Sequence, residues 1–153
     1  EHVLEKAILY GWLFCMLVWW YTVDMSVAKQ FTIAVIEDEK MLLKYMVSSL
    51  SLEASFRVVS ALNGEEGEKL IIAEKPDLVF LDIMMPKKNG FEVLESIKNN
   101  AATKNIPIVV LSNLGQDKDI QLAKELGATD YLVKVDMEIS DLVKKAYSYL
   151  HKR

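Results

Sequence analysis

The sequence is poor in the residues that build disulfide scaffolds and zinc sites. Its 153 residues include one cysteine, Cys15, and two histidines, His2 and His151, each close to an end of the chain. A single cysteine excludes an intrachain disulfide and fits a reducing compartment. Because no histidine or cysteine lies in the central part of the chain, we do not expect a zinc site.

Proline, glycine and excess positive charge are also scarce. The chain has three prolines and six glycines, and it contains neither an internal repeat nor a low-complexity tract. Its net charge of −4 argues against a broad nucleic-acid-binding surface. The apolar share of 52% and the charged share of 26% are typical of a globular protein, and the length predicts one domain with a substantial core.

Residues 7–23, AILYGWLFCMLVWWYTV, form an uncharged stretch of 17 residues that holds all three tryptophans and the cysteine. Three interpretations remain open: a membrane anchor at the short end of the usual length, a signal peptide, or a non-native upstream extension before a start at Met25. Acidic residues before the stretch and the lack of an A-x-A site oppose the signal peptide. We divide the chain into a hydrophobic segment, 1–24, and a domain, 25–153. We expect a cytoplasmic protein, held at the inner face of the membrane only if the stretch is a true anchor.

Beyond residue 30, short apolar runs alternate with helical patterns. The runs are apolar at consecutive positions, which is typical of strands covered on both faces. Five alternating βα units predict a parallel sheet with right-handed crossovers, and such sheets bind ligands at the carboxyl ends of their strands. The predicted strands are 32–36, 56–62, 78–81, 106–111 and 131–133, and the predicted helices are 40–52, 64–74, 89–99, 116–126 and 138–150.

Polar side chains follow four of these strands. Glu37 and Asp38 follow the first strand, Asp82 the third, Ser112 the fourth and Lys134 the fifth. Alone, each would be an ordinary helix cap, turn residue or solvated charge, but together they indicate a site. Three clustered carboxylates need a cation, and oxygen ligands favour a hard ion such as Mg²⁺. A carboxylate beside such an ion can attack a phosphoryl group and form an aspartyl phosphate.

The motifs resemble the receiver domain of two-component response regulators, in a stand-alone form like chemotaxis or sporulation-relay regulators. The resemblance covers about residues 30–150, and the order and spacing of its blocks agree. It implies a doubly wound α/β fold, with a five-stranded parallel sheet of flavodoxin-like order 2-1-3-4-5 and helices on both faces. The matching blocks are IEDE with Glu37 and Asp38, LDIMMPKKNG with Asp82, Pro86 and Gly90, LSN with Ser112, and DYLVK with Tyr131 and Lys134.

The resemblance also implies a role for each residue of the site. The chain would not be an enzyme acting on other molecules, because it would catalyse only its own phosphorylation and dephosphorylation. Mg²⁺ would be the cofactor, with Mn²⁺ as a substitute. The implied roles are phosphoacceptor for Asp82, metal ligands for Glu37, Asp38, Asp82 and the backbone carbonyl of Met84, phosphoryl contacts for Lys134 and Ser112, and switch residues for Ser112 and Tyr131.

The implied phosphodonor is a phosphohistidine on a sensor histidine kinase or a phosphotransfer protein. The implied output surface is the face formed by the fourth helix, the fifth strand and the fifth helix, which would bind an unknown downstream protein. Only three residues follow the last predicted helix. We therefore expect a stand-alone receiver that does not bind DNA directly, with membrane contact only through a true anchor at 7–23.

The sequence departs from the family pattern at two positions. Val135 follows Lys134 where the family has a proline in a cis peptide, so this peptide is either trans or a strained cis bond. Asn113 follows Ser112 where the family has alanine or glycine, and its larger side chain could slow entry to the pocket. Because neither Met84 nor Leu114 is an acid or amide that could orient water, we expect slow self-hydrolysis.

Two other functions compete with this hypothesis. A pseudo-receiver would keep the fold and bind partners without phosphorylation, but the intact acidic pair, Asp82 and Lys134 argue against it. A phosphatase of the haloacid-dehalogenase type also uses an aspartate nucleophile at a strand end. That family has a second aspartate two residues later, where this sequence has Met84.

Overall fold

A computed structural model of the protein describes residues 30–151. The interpretations of residues 1–24, including the proposed anchor at 7–23 and the start at Met25, lie outside the described residues. Among the helices of residues 30–151, none has the length and apolar character needed to cross a membrane.

Five strands and five helices alternate along residues 30–151. All strand pairs are parallel, and the sheet order is β2-β1-β3-β4-β5, which confirms the predicted doubly wound fold. The strands are β1 (Phe31–Ile36), β2 (Phe56–Ala61), β3 (Leu78–Asp82), β4 (Ile108–Ser112) and β5 (Asp130–Val133). The helices are α1 (Lys40–Ser51), α2 (Gly64–Glu74), α3 (Gly90–Asn99), α4 (Asp117–Glu125) and α5 (Ile139–Leu150), with a 3₁₀ turn at Lys134–Asp136.

Local signals in the sequence set several element boundaries. The Asn89 side chain accepts from the backbone N–H of Glu92, and the Glu92 carboxylate accepts from the N–H of Asn89, so a capping box begins α3. The predicted fourth strand begins two residues late, at Ile108. Its first residues form a turn instead, since Ile106 donates to the Thr103 carbonyl and Pro107 has no N–H for a sheet ladder.

Two apolar cores, one on each side of the sheet, hold the helices. The three central strands are buried almost throughout, as expected for parallel strands covered on both faces. One core packs α1 and α5 against the sheet through residues such as Leu43, Leu50 and Leu142. The other packs α2, α3 and α4 through residues such as Ile71 and Val93. The sheet edge between the two layers is therefore fixed from both sides.

The strand register aligns the carboxyl ends of the central strands. Ile36 pairs with Leu81, so the next residues, Glu37 and Asp82, lie level with each other. Asp82 in turn pairs with Leu111, which directly precedes Ser112. The alternation of apolar runs and polar strand ends in the sequence thus becomes one polar edge.

Candidate functional site

Three carboxylates meet at this polar edge. One oxygen each of Glu37, Asp38 and Asp82 lies within 4.8 Å of the other two. Glu37 and Asp82 are almost fully buried, at 1% and 3% exposure, because each ends or follows a central strand. The structure therefore brings together the three acidic side chains that the sequence predicted as metal ligands.

Lys134 reaches this cluster from the end of β5. Its Nζ lies 2.6 Å from Glu37 Oε2 and 2.9 Å from Asp82 Oδ2, and its side chain is only 11% exposed. The lysine thus bridges the first and third strands across the pocket. Lys134 and Asp82, which the sequence predicts at one site, form an ion pair. The contact with Glu37 gives Lys134 a second carboxylate partner.

The cluster carries more negative than positive charge. Burial raises the pKa of Glu37 above its ordinary value, and the nearby Asp82 carboxylate adds to the rise although Lys134 opposes it. Burial alone would lower the pKa of Lys134, but its hydrogen bonds to Glu37 and Asp82 and their charges raise it. The Glu37 shift thus follows chiefly from burial beside a second carboxylate, and the Lys134 shift follows from its two carboxylate partners.

The donor set fits a hard divalent cation. Within residues 30–151, the Asp38 carboxylate makes no hydrogen bond or ion pair, so it is available as a ligand beside Glu37 and Asp82. The ligands within reach are all oxygen atoms, and Mg²⁺ uses one or two carboxylates while keeping several waters. Glu37, Asp38 and Asp82 would hold such an ion, which would offset the excess negative charge of the pocket.

The segment 83–89, which we call the β3–α3 loop, directly follows Asp82. The Met84 N–H donates to Asp82 Oδ1 at 3.2 Å, and the Gly90 N–H donates to the Ile83 carbonyl at 2.9 Å. A side chain on Gly90 would lie 2.1 Å from the Asp82 carbonyl oxygen, so only glycine allows α3 to begin here. Asp82 is therefore positioned by the strand before it and by the loop after it.

Ser112 and Tyr131 are joined through the backbone of Leu114. The Leu114 N–H donates to Ser112 Oγ at 3.1 Å, and the Tyr131 hydroxyl donates to the Leu114 carbonyl at 2.6 Å. Ser112 is fully buried, and burial raises the pKa of the half-buried Tyr131. The two predicted switch residues thus belong to one hydrogen-bonded chain beside the acidic cluster.

Asn113 and Val135, the two residues that depart from the family pattern, line a cavity that the acidic cluster does not line. Residues 30–151 contain no cis peptide bond, so the Lys134–Val135 peptide is trans. Val135 is 77% exposed, and with Asn113 and Lys134 it lines a cavity of about 230 Å³. The Lys134 ammonium still reaches both carboxylates, so a trans valine peptide is compatible with the contacts of the site.

The sequence comparison agrees with this arrangement. The family description "response regulator receiver domain" matches residues 33–147. The chain belongs to this family. As a receiver domain, it contains every polar residue of the predicted site within the matched range, from Glu37 to Lys134.

Similar proteins carry the receiver domain in longer chains or as crystallised domains. A relative described as a probable transcriptional regulator, ycf27 of Guillardia theta, is 38% identical over 111 residues, which cover 72% of this chain and 42% of that protein. The chain thus spans less than half the length of that relative. The phosphorylated cyanobacterial phytochrome response regulator RcpA is 29% identical with a TM-score of 0.67, covering 78% of this chain and 90% of that one. The Mn²⁺-bound response regulator Rcp1 is 28% identical with a TM-score of 0.66, covering 77% and 90%.

Sequence reasoning missed two features of this receiver domain. The peptide of Leu114 links Ser112 to Tyr131 through backbone atoms, which carry no sequence signal. The Lys88 ammonium of the β3–α3 loop pairs with Glu68 on α2, 20 residues away. Only a prediction of how α2 packs against the loop could have found this second contact.

Proposed function

We propose that the chain is a phosphorylation-competent receiver in which Asp82 accepts a phosphoryl group in a Mg²⁺-dependent step. The observation that carries this proposal is the buried Asp82 carboxylate, which lies within 4.8 Å of two further carboxylates and 2.9 Å from the Lys134 ammonium. A buried acid surrounded in this way costs free energy unless a cation or a reaction uses it. Glu37, Asp38, Asp82 and the Met84 carbonyl would hold the ion.

The proposed reaction is an in-line transfer from a phosphohistidine of a sensor kinase or phosphotransfer protein. A carboxylate oxygen of Asp82 attacks phosphorus, the new O–P bond forms as the P–N bond breaks, and the electron pair returns to the imidazole nitrogen. When bound, Mg²⁺ supplies positive charge to the phosphoryl oxygens. Lys134, which already contacts Asp82, would shift its hydrogen bond to a phosphoryl oxygen. Glu37 and Asp38 would remain as ligands whose negative charge offsets that of the ion.

The proposed signal then passes from Ser112 to Tyr131. The buried Ser112 hydroxyl would donate to a phosphoryl oxygen, and rotation of the side chain toward that group would draw Oγ away from the Leu114 N–H, whose hydrogen bond Oγ now accepts. Because the Leu114 carbonyl holds the Tyr131 hydroxyl, movement of that peptide would change the position of the tyrosine on β5. Tyr131 also lines a groove of about 560 Å³ between β5 and α5, which supports the β5 and α5 part of the implied output surface of α4, β5 and α5.

The test is covalent labelling by a small phosphodonor. Incubation with acetyl phosphate and Mg²⁺ should give one phosphoryl group per chain that is released by base and by hydroxylamine, seen by intact-mass spectrometry. Asp82→Asn should give none, while Glu95→Gln, which changes an exposed acid on α3, should label like the wild type. Equal labelling of Asp82→Asn and wild type would reject Asp82 as the acceptor. No labelling of wild type would reject the proposal and leave the pseudo-receiver function.

A measurement of turnover separates a receiver from a phosphatase. A receiver loses only its own phosphoryl group, whereas a phosphatase would release phosphate repeatedly from small esters. Met84 stands two residues after Asp82, and its exposed thioether cannot act as the second acid of such an enzyme. We expect slow loss of the phosphoryl group, since neither Met84 nor Leu114 offers a side chain that could orient an attacking water.

A further inference from the structure

The β3–α3 loop has a buried inner half and an exposed outer half. Ile83 and Met85 are buried in the core, and Met84, between them, exposes its side chain. The outer part, Pro86–Lys88, lies at the surface, and Lys87 adopts a left-handed backbone with φ of 68°. A lysine in this region is disfavoured relative to glycine, so contacts outside the loop must hold the outer half in place.

Lys88 supplies such a contact. Its Nζ lies 2.6 Å from Glu68 Oε2 on α2, and the two side chains are 25% and 22% exposed. The backbone of the same residue also lies against α2, because a side chain on Gly64 would come within 2.0 Å of the Lys88 carbonyl oxygen. The loop therefore contacts the first half of α2 in two ways: the Lys88 backbone packs against Gly64, and the Lys88 ammonium pairs with Glu68.

Glu68 is itself held from the other side. The Ser96 hydroxyl on α3 donates a short hydrogen bond to Glu68 Oε1. Partial burial would raise the pKa of Glu68, but Lys88 and Ser96 together lower it. The Glu68 carboxylate on α2 thus contacts both Lys88 of the loop and Ser96 of α3, and it connects these two elements.

We propose that Lys88, held by Glu68, is a positioning residue that fixes the β3–α3 loop and thereby the Met84 carbonyl for metal binding. The inference rests on the proposed function, because it assigns the pair a role toward the cation that Asp82 uses. Neither side chain touches the acidic cluster, so the pair acts only through the loop between Asp82 and Gly90. Partners behind metal ligands commonly change metal affinity when they are removed.

The test is direct Mg²⁺ binding to the full chain by isothermal titration calorimetry, without any phosphodonor. We expect Glu68→Gln and Lys88→Met each to weaken Mg²⁺ binding by about threefold to tenfold. The exchanged pair, Glu68→Lys with Lys88→Glu, should recover most of the affinity. Glu74→Gln is the matched control, since it breaks the Arg57–Glu74 ion pair of the same helix away from the loop.

A second measurement excludes a merely structural role. In metal-free protein, amide hydrogen exchange at residues 84–88 should become faster in Glu68→Gln, while exchange in β1 and β3 should stay unchanged. Wild-type Mg²⁺ affinity in both single variants, or an equal loss in Glu74→Gln, would overturn the inference. Because the readout is metal binding, the inference can fail while phosphorylation of Asp82 is present, and it can hold while phosphorylation is absent.

Discussion

The Tyr131 hydroxyl donates a 2.6 Å hydrogen bond to the backbone carbonyl of Leu114, across the space between β5 and the segment after β4. The N–H of the same leucine donates to Ser112 Oγ. Leu114 is therefore held by its two backbone groups between a strand-end hydroxyl and a phenol. This relationship connects the buried edge of the sheet to the groove between β5 and α5.

Tyr131→Phe should loosen this connection without damaging the acidic cluster. Loss of the hydrogen bond should lower the free energy of unfolding by about 1 kcal/mol and speed amide exchange at residues 113–116. The initial rate of labelling by acetyl phosphate should change little, because Asp82 and Lys134 are untouched. Tyr45→Phe, which removes an exposed hydroxyl on α1, is the control for both measurements. Unchanged exchange at 113–116 would contradict the assignment.

Without metal, the Asp38→Asn variant should be more stable than the wild type. With Mg²⁺ bound, it should be less stable than the wild type. The substitution removes one of three carboxylates that lie within 4.8 Å of one another, so urea unfolding without metal should show a gain of about 1 kcal/mol. Added Mg²⁺ should stabilise the wild type by mass action and the variant far less.

Glu95→Gln provides the comparison for this charge change, since it neutralises an exposed acid away from the cluster. It should leave both the metal-free stability and the response to Mg²⁺ as in the wild type. If Asp38→Asn instead lost stability without metal, the excess negative charge of the pocket would not be a source of strain.

Gly90→Ala should damage the fold next to Asp82. The added carbon would lie 2.1 Å from the Asp82 carbonyl oxygen and 2.7 Å from Ile83 Cα, and both are backbone atoms that cannot move aside cheaply. We expect a loss of about 3 kcal/mol in the free energy of unfolding by urea. Gly115→Ala meets only the Val133 methyls at 3.6 Å, so it should be neutral or slightly stabilising. Similar stabilities of the two variants would disprove the contact.

The decrease in the free energy of unfolding at low pH should depend in part on Asp130. Burial would raise the pKa of this carboxylate, but hydrogen bonds from Lys145, Tyr149 and the Tyr131 N–H lower it below its ordinary value of 3.8. A lowered folded-state pKa stabilises the fold above the unfolded value, and this contribution is lost as pH falls through the folded value. Asp130→Asn should therefore cost about 1 kcal/mol at pH 7, with the difference from wild type shrinking below about pH 4.

Urea unfolding of both proteins at a series of pH values measures this difference. Glu95→Gln, which neutralises an exposed acid on α3, should follow the wild type over the whole range. A difference between Asp130→Asn and wild type that stayed constant down to pH 2 would show that the charge of Asp130 is not what stabilises β5 against α5.

The sheet and its polar edge could be predicted from the sequence because each apolar run ends at a polar residue. The runs before Glu37, Asp82 and Ser112 are long enough to define central strands, and parallel strands bring their carboxyl ends to one edge. The roles implied by the resemblance for Asp82 and Lys134 agree with their contacts, but their chemistry remains a prediction.

Other parts of the site could not be predicted from residue types. The trans peptide before Val135 depends on how the surrounding segment packs, and the sequence alone left both isomers open. The contact of Lys134 with Glu37, as well as with Asp82, depends on side-chain reach across two strands. The link through Leu114 uses only backbone groups, which every residue has.

The ion pair between Lys134 and Glu37 joins residues that lie 97 positions apart in the chain. Closing such a separation is entropically costly, and the pair can form only after β3 and β4 have taken their places between β1 and β5. We therefore expect the acidic cluster to form after the folding barrier, where added stability slows unfolding rather than speeding folding. Mg²⁺ should then mainly lower the unfolding rate, seen as a shift of the unfolding arm of the chevron plot. The acidic cluster would thus also determine the lifetime of the native state.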